Sequence, residues 1–131
     1  MTEADLIAAA RAAAGRAYAP YSNFAVGCAV ESVDGEIVTG ANMENACYRL
    51  GLCAEQAALA AAQAAFGLAN IARIAIVAPA SATPVTPCGG CRQAILEAGG
   101  DLVILCASGD GDRVETHRIA DLLPHAFSLA R

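Results

Sequence analysis

Residues 53–106 decide the fold: CAEQAALAAAQAAF at 53–66, IARIAIV at 71–77, CGGCRQAILEA at 88–98 and LVILC at 102–106. The first block is alanine-rich and has neither proline nor β-branched residues, so it favours helix, and Gly67 stands where such a helix stops. Ile71 to Val77 is β-branched and reads as a strand. Prolines 79, 84 and 87 break the chain into a loop before a second helix over Cys88 to Ala98, closed by Gly99-Gly100. Leu102 to Cys106 is apolar throughout, as in a strand buried on both faces. Helix, strand, loop, helix and strand in this order form βαβ-type units, the pattern of a layered α/β domain.

The flanks extend the same architecture. Thr2 and Asp5 resemble an N-cap pair, and Leu6, Ile7, Ala10, Ala13, Ala14 and Ala17 recur at helical spacing until Pro20 forbids continuation. Phe24, Val26, Cys28 and Val30 alternate through a strand over 24–31, and Asp34-Gly35 turns the chain into Ile37-Val38-Thr39 as a hairpin. Segment 42–52 has neither period and reads as a polar loop. Residues 108–112 form a turn, 113–118 an edge strand, and 119–123 one helical turn before Pro124. With no repeat or linker, residues 1–131 read as one domain of about five strands with helices on both faces; the pattern leaves strand order open.

Composition narrows the function. The net charge is −5 and all eight basic residues are scattered arginines, so no basic stripe exists to hold a phosphate backbone and nucleic acid is not an expected partner. The first five residues lack the positive charge of a signal peptide and no apolar run reaches ~18 residues, so a cytoplasmic protein without a membrane span is expected. With glycine counted and tyrosine left out, the apolar share is about 63% against a usual ~45–50%, which points to surface buried between subunits. In a reducing compartment the six cysteines are thiols or metal ligands rather than disulfides.

Two short motifs stand at helix mouths: Cys53-Ala54-Glu55, and Pro87-Cys88-Gly89-Gly90-Cys91. Exposed backbone N–H groups and the helix dipole favour thiolates there. Three thiolates can hold a Zn²⁺ that keeps a fourth position for water and acidifies it, and Glu55 would then have a proton to move. Residues two apart on a regular helix diverge, so Cys53 and Glu55 can address one metal only if Cys53 stands at the helix entrance. Other readings of Cys88 and Cys91 are a redox dithiol, or half of a closed structural zinc site with Cys28, Cys47 or Cys106 as the fourth ligand. Cys28 and Cys106, in apolar strands, read most simply as small buried hydrophobes. His117 and His125 lie outside both motifs and read as solvent-exposed.

A ligand-x-Glu element followed by Pro-Cys-x-x-Cys is the pattern of zinc nucleobase deaminases, with three cysteines an accepted ligand set. Here 34 residues separate Cys53 from Cys88. Together with Pro20-Tyr21-Ser22-Asn23-Phe24-Ala25-Val26-Gly27, with Asn42-Met43-Glu44-Asn45-Ala46-Cys47-Tyr48 and with Pro87 through Gln93, the whole chain resembles the small homotetrameric cytidine deaminases. The resemblance implies a three-layer α-β-α fold with a mixed sheet, one zinc per subunit on Cys53, Cys88 and Cys91, and hydrolysis of cytidine or deoxycytidine to uridine or deoxyuridine and ammonia. Glu55 would take a proton from water, pass it to N3 as C4 is attacked, and protonate the departing amine.

The resemblance also assigns the substrate contacts. Asn42 and Glu44 correspond to a ribose-binding pair, against an alternative reading as an Asx-type loop bond and a solvated carboxylate. Phe24 would pack on the pyrimidine, Ala54 would offer its N–H to the base carbonyl, and carbonyls of Thr86 and Pro87 would accept from the exocyclic amine. Ala46, Tyr48 and Phe127 complete the contacts, Tyr48 and Phe127 across subunit interfaces. One position departs: where these deaminases commonly carry an arginine bonded to the thiolates, this chain has Gln56. Gln56 retains N–H donors for sulfur, and Arg92 is expected to supply the missing charge. Two other activities share these motifs, deamination of a cytosine-bearing antibiotic and hydrolysis of a C4-substituted amine; a structural zinc module without turnover is the reading from another class.

Overall fold

The computed structural model describes residues 2–129. Helix α1 spans Glu3–Ala14, and Thr2 and Asp5 close a reciprocal capping box at its start. Its buried stripe is Leu6, Ile7, Ala10, Ala13 and Ala14. The helix stops at Ala14, short of Ala17 and well before Pro20. Tyr18 is drawn away instead, its N–H donating to the Asn42 carbonyl while its own carbonyl accepts from the Glu44 N–H.

The hairpin forms with shifted bounds, β1 over Gly27–Ser32 and β2 over Ile37–Ala41, with Gly35 at φ 88° in the turn. Phe24 and Val26 lie outside β1. The Val26 N–H donates to Asn42 Oδ1 at 2.8 Å and the Phe24 N–H to Ser22 Oγ at 3.1 Å, so side chains take the place of most of a strand ladder there, and one backbone bond, from the Asn42 N–H to the Val26 carbonyl at 3.3 Å, remains. Helix α2 follows over Ala54–Ala65, β3 over Ile71–Val77, α3 over Gly89–Ala98, β4 over Val103–Ala107, β5 over Val114–Arg118 and the short α4 over Ile119–Leu122.

The five strands form one mixed sheet in the order β2-β1-β3-β4-β5. Only β3 and β4 pair in parallel, across the α3 crossover; the other neighbours are antiparallel. Side chains alternate between the two faces. Cys28, Val30, Ile74, Ile76, Ile104 and Cys106 pack with α2 and Ile95 of α3, while Ala29, Ala75, Val77, Leu105 and Ala107 pack on α1. The result is the expected three-layer α/β/α arrangement. The central strands are buried on both faces, which is why they read as apolar runs, whereas β5 at the edge alternates in exposure.

Helix α2 sits almost on the backbone of β2. A Cβ added at Gly40 would lie 2.4 Å from the Ala58 nitrogen and 2.8 Å from the Ala54 carbonyl oxygen, so only glycine permits this approach. Gly40→Ala is expected to destabilise the protein by about 1–3 kcal/mol through overpacking. Urea denaturation would show it as a lower midpoint at an unchanged slope. A midpoint equal to the parent's would mean that this contact does not set the height of α2.

Candidate active site

Both zinc motifs open a helix. Cys53 has extended backbone geometry (φ −73°, ψ 152°) immediately before α2, and Cys88 has it (φ −67°, ψ 170°) immediately before α3. Cys91 lies one turn into α3 and is buried. Because Cys53 precedes the helix rather than joining it, its sulfur and the Glu55 carboxyl both reach the same space. The sulfurs of Cys53, Cys88 and Cys91 all lie within 4.8 Å of one another. Tetrahedral thiolates around a metal at ~2.3 Å stand roughly 3.8 Å apart, so the cluster fits a three-sulfur zinc site without rearrangement of the fold.

The surroundings treat the three thiols differently. Backbone N–H groups of Cys91 and Gly90 face the Cys88 sulfur and bring its pKa down, as the start of a helix does. Burial pushes Cys53 and Cys91 up, at Cys91 against the Gln56 amide, whose Nε2 donates to Cys91 Sγ at 3.5 Å. Glu55 is only 6% exposed, and burial raises its carboxyl above the usual range. Among the described residues no fourth cysteine, histidine or carboxylate joins the cluster. Cys28 and Cys106 are fully buried in the sheet, and Cys47 is exposed on the loop.

These groups open onto a cavity of about 290 Å³, near the lower end of the ~300–1,000 Å³ usual for small-molecule pockets. Cys53, Ala54, Glu55 and Cys88 line it beside the apolar Phe24, Val26, Ile76 and Val85 and the polar Ser22, Asn42, Glu44 and Thr86. The polar pair is already engaged. Asn42 accepts from Val26 N–H and donates through Nδ2 to the Phe24 carbonyl at 2.9 Å. Glu44 Oε1 accepts from the N–H groups of Tyr21 and Ser22 at 3.0 and 3.1 Å, and Oε2 accepts from the Ser22 hydroxyl. These bonds, the hydroxyl's first, hold the Glu44 carboxyl below its ordinary pKa.

Several expected positions stand elsewhere. Arg92 does not reach the thiols: its guanidinium donates to the carbonyls of Pro87 and Leu122, both at 2.8 Å, and to Thr86 Oγ1 at 3.1 Å. It pins the loop before Cys88 to the end of α4 instead of supplying charge to sulfur. Pro87 is buried with its carbonyl on Arg92, leaving Thr86 at the cavity. Ala46 is exposed and outside the cavity lining, Tyr48 borders a separate hollow beside Tyr21, and Phe127 lies near Gln93 and Leu96 of α3. His117 is partly covered and bonded to Glu115 at 3.1 Å rather than free in solvent; His125 is exposed.

The sequence model described as "Cytidine and deoxycytidylate deaminase zinc-binding region" matches residues 1–107. The chain belongs to the cytidine and deoxycytidylate deaminase family. It is 44% identical to the cytidine deaminase of Mycobacterium tuberculosis over 121 residues, 92% of this chain and 85% of that protein. The cytidine deaminase of Sporosarcina psychrophila is 42% identical over 124 residues, 94% of this chain and 89% of that one. Among solved structures, the cytidine deaminase of Burkholderia pseudomallei superposes with a TM-score of 0.91 at 46% identity, over 97% of this chain and 100% of that one.

Membership in the deaminase family, the thiol cluster and the buried Glu55 coincide in one cavity. Sequence reasoning passed over four of its walls: Ser22, Val26, Ile76 and Val85. Ser22 and Val26 lie inside a quoted motif, whereas Ile76 and Val85 carry no local signal beyond being apolar. Zinc-edge spectroscopy of the purified protein is expected to find one zinc per chain with three sulfurs and one lighter neighbour. Cys91→Ser should cut the retained metal several-fold, and Cys47→Ser should leave it unchanged; a four-sulfur shell would establish a closed structural site.

Proposed function

We propose that the protein hydrolyses the C4 amine of cytidine and deoxycytidine, releasing ammonia and leaving uridine or deoxyuridine. The observation that carries this reading is the buried Glu55 beside three convergent thiols within a cavity large enough for a small molecule. Cys53, Cys88 and Cys91 would hold zinc, which when bound supplies Lewis acidity that readies a water as nucleophile. The chain's own residues do the rest. Glu55 takes the water's proton and delivers it to N3 while the water oxygen bonds to C4. It then takes the remaining proton from the new C4 hydroxyl and passes it to the amine as the C4–N bond breaks and the C4 carbonyl forms. A carboxyl whose burial favours the protonated form suits a group that must hold a proton between two transfers.

Substrate contacts follow from what each side chain has left to bond. Asn42 retains one N–H and one Oδ1 lone pair, and Glu44 about one acceptor site, after their bonds to the chain. One sugar hydroxyl can donate to Glu44 and accept from Asn42, which favours a nucleoside over the free base. Phe24 offers a ring to the base, the first N–H of α2, on Ala54, suits the base carbonyl, and the Thr86 carbonyl suits the exocyclic amine. Gln56 steadies Cys91, while Arg92 fixes the position of Thr86.

The reading extends to assembly and setting. Residues 1–131 act as one catalytic domain. Tyr48 is 85% exposed and Phe127 73% exposed, and neither lines the cavity of its own chain, which supports a homotetramer whose neighbours complete one another's sites. No described helix is long and apolar enough to cross a membrane, and the abundance of free thiols supports the cytoplasm.

Loss of cytidine absorbance tests the chemistry. Cytidine and deoxycytidine should turn over and free cytosine should not, and Glu55→Gln should lower kcat by about 10²–10⁴ with zinc retained. An unaffected Glu55→Gln enzyme would remove this carboxyl from the proton path. For the assembly, Phe127→Ala is expected to raise KM, and mixing its subunits with inactive Glu55→Gln subunits, which keep Phe127, should recover part of that loss; no recovery would place the ring in its own subunit's function.

A further inference from the structure

The cavity's open side is built from two segments that meet far from each other in sequence, 21–26 and 42–44. One backbone bond joins them, from the Asn42 N–H to the Val26 carbonyl at 3.3 Å, and the rest of their contact is a circuit of side-chain bonds. Ser22 stands at its centre: its hydroxyl donates to Glu44 Oε2 and accepts from the Phe24 N–H at 3.1 Å, while its own N–H donates to Glu44 Oε1 at 3.1 Å. The carbonyl of Phe24 is held in turn by Asn42 Nδ2 at 2.9 Å. Phe24 is therefore gripped on both sides of its backbone, and one of the two grips is the Ser22 hydroxyl.

From this geometry we infer that Ser22 is a positioning residue for substrate binding, its hydroxyl coupling the Phe24 wall of the cavity to the Glu44 carboxylate. The inference rests on the nucleoside reading above and adds to it a residue that touches neither the metal cluster nor Glu55 through any of these bonds. Without the hydroxyl, Glu44 Oε2 loses its donor and turns toward water, and the Phe24 amide loses its acceptor. Both changes fall on the part of the cavity that would face the sugar and the base, and neither on the atoms that move protons. The loss should therefore fall on KM rather than on kcat.

The test compares Ser22→Ala with Ser22→Thr, which keeps the hydroxyl at an exposed position with room for a methyl group. Ser22→Ala is expected to raise KM for cytidine about tenfold and to leave kcat within about threefold, the pattern of lost binding that is common to ground state and transition state. Amide hydrogen exchange in the absence of substrate should show the Phe24 N–H exchanging several-fold faster, and Ser22→Thr should restore both readouts. An unchanged exchange rate at Phe24 would overturn the coupling, and faster exchange with an unchanged KM would overturn its role in binding. Absence of nucleoside turnover by the parent protein would instead defeat the deaminase reading, and the exchange comparison would still decide whether Ser22 holds the segment.

Discussion

Three thiols from two helices must converge on one point, and most of the structure is arranged to satisfy that geometry. Cys53 and Cys88 have 34 residues between them in the chain, yet their sulfurs come within 4.8 Å of each other. The sheet order makes this happen. With β1 between β2 and β3, the chain leaves β2 and β3 at the same end of the sheet, where Gly27 of β1 pairs with both Ala41 and Val77. The loops that follow, each leading into a helix on the same face of the sheet, deliver Cys53 and Cys88 to neighbouring positions. The glycine contact between β2 and α2 then sets how deep the first turn of α2 lies, and with it the depth of Glu55.

The second half of the cavity obeys a different economy. Its metal side is held by regular elements, whereas its open side is an irregular segment that would otherwise expose unpaired backbone groups. Asn42, Glu44 and Ser22 supply the missing partners to Tyr21, Ser22, Phe24 and Val26. The same polar atoms that stabilise the segment also face the cavity. Binding groups fixed in this way are ordered before a ligand arrives, so less freedom is lost when one is bound. An Asn and a Glu that read as either loop bonds or sugar ligands in the sequence are, in the fold, loop bonds with bonding capacity left over.

Legibility in the sequence tracks the range of the interaction responsible. Helix α2, strand β3 and the zinc motifs were readable because propensity, glycine stops and ligand spacing are local. The early end of α1 was not, because Tyr18 pairs with the segment around Asn42, and the shortened β1 has the same long-range cause. Arg92 shows the limit most clearly. Its place next to Cys91 suggests a partner for sulfur, but its donors are taken by the carbonyls of Pro87 and of Leu122, the latter 30 residues away. The order of the strands, the partial cover on His117 and the apolar walls Ile76 and Val85 likewise depend on pairings that no single segment encodes.

Six cysteines are available and three form the cluster, a division that follows from where the fold places the sulfurs rather than from count. Cys28 and Cys106 pair in register with Ile76 from either side, so both stand behind the wall of the cavity. Burial raises both thiols, Cys106 to about 12, with the nearby carboxylates Glu115 and Glu55 adding to the effect on Cys106 and Glu55 adding to that on Cys28. They remain neutral thiols and serve as packing atoms. The cluster cysteines differ in position rather than in exposure, since Cys91 is as buried as these two: each stands at or just inside a helix start, with N–H groups of α3 aimed at Cys88 and an amide of α2 aimed at Cys91. Neutral dipoles thus perform at the sulfurs a task for which an arginine would bring a full charge, and the arginine nearest in sequence is occupied in holding the loop. A three-thiolate centre supported by dipoles alone keeps more negative charge at its metal than one backed by a guanidinium, so the position of Gln56 bears directly on how strongly a bound zinc can polarise water.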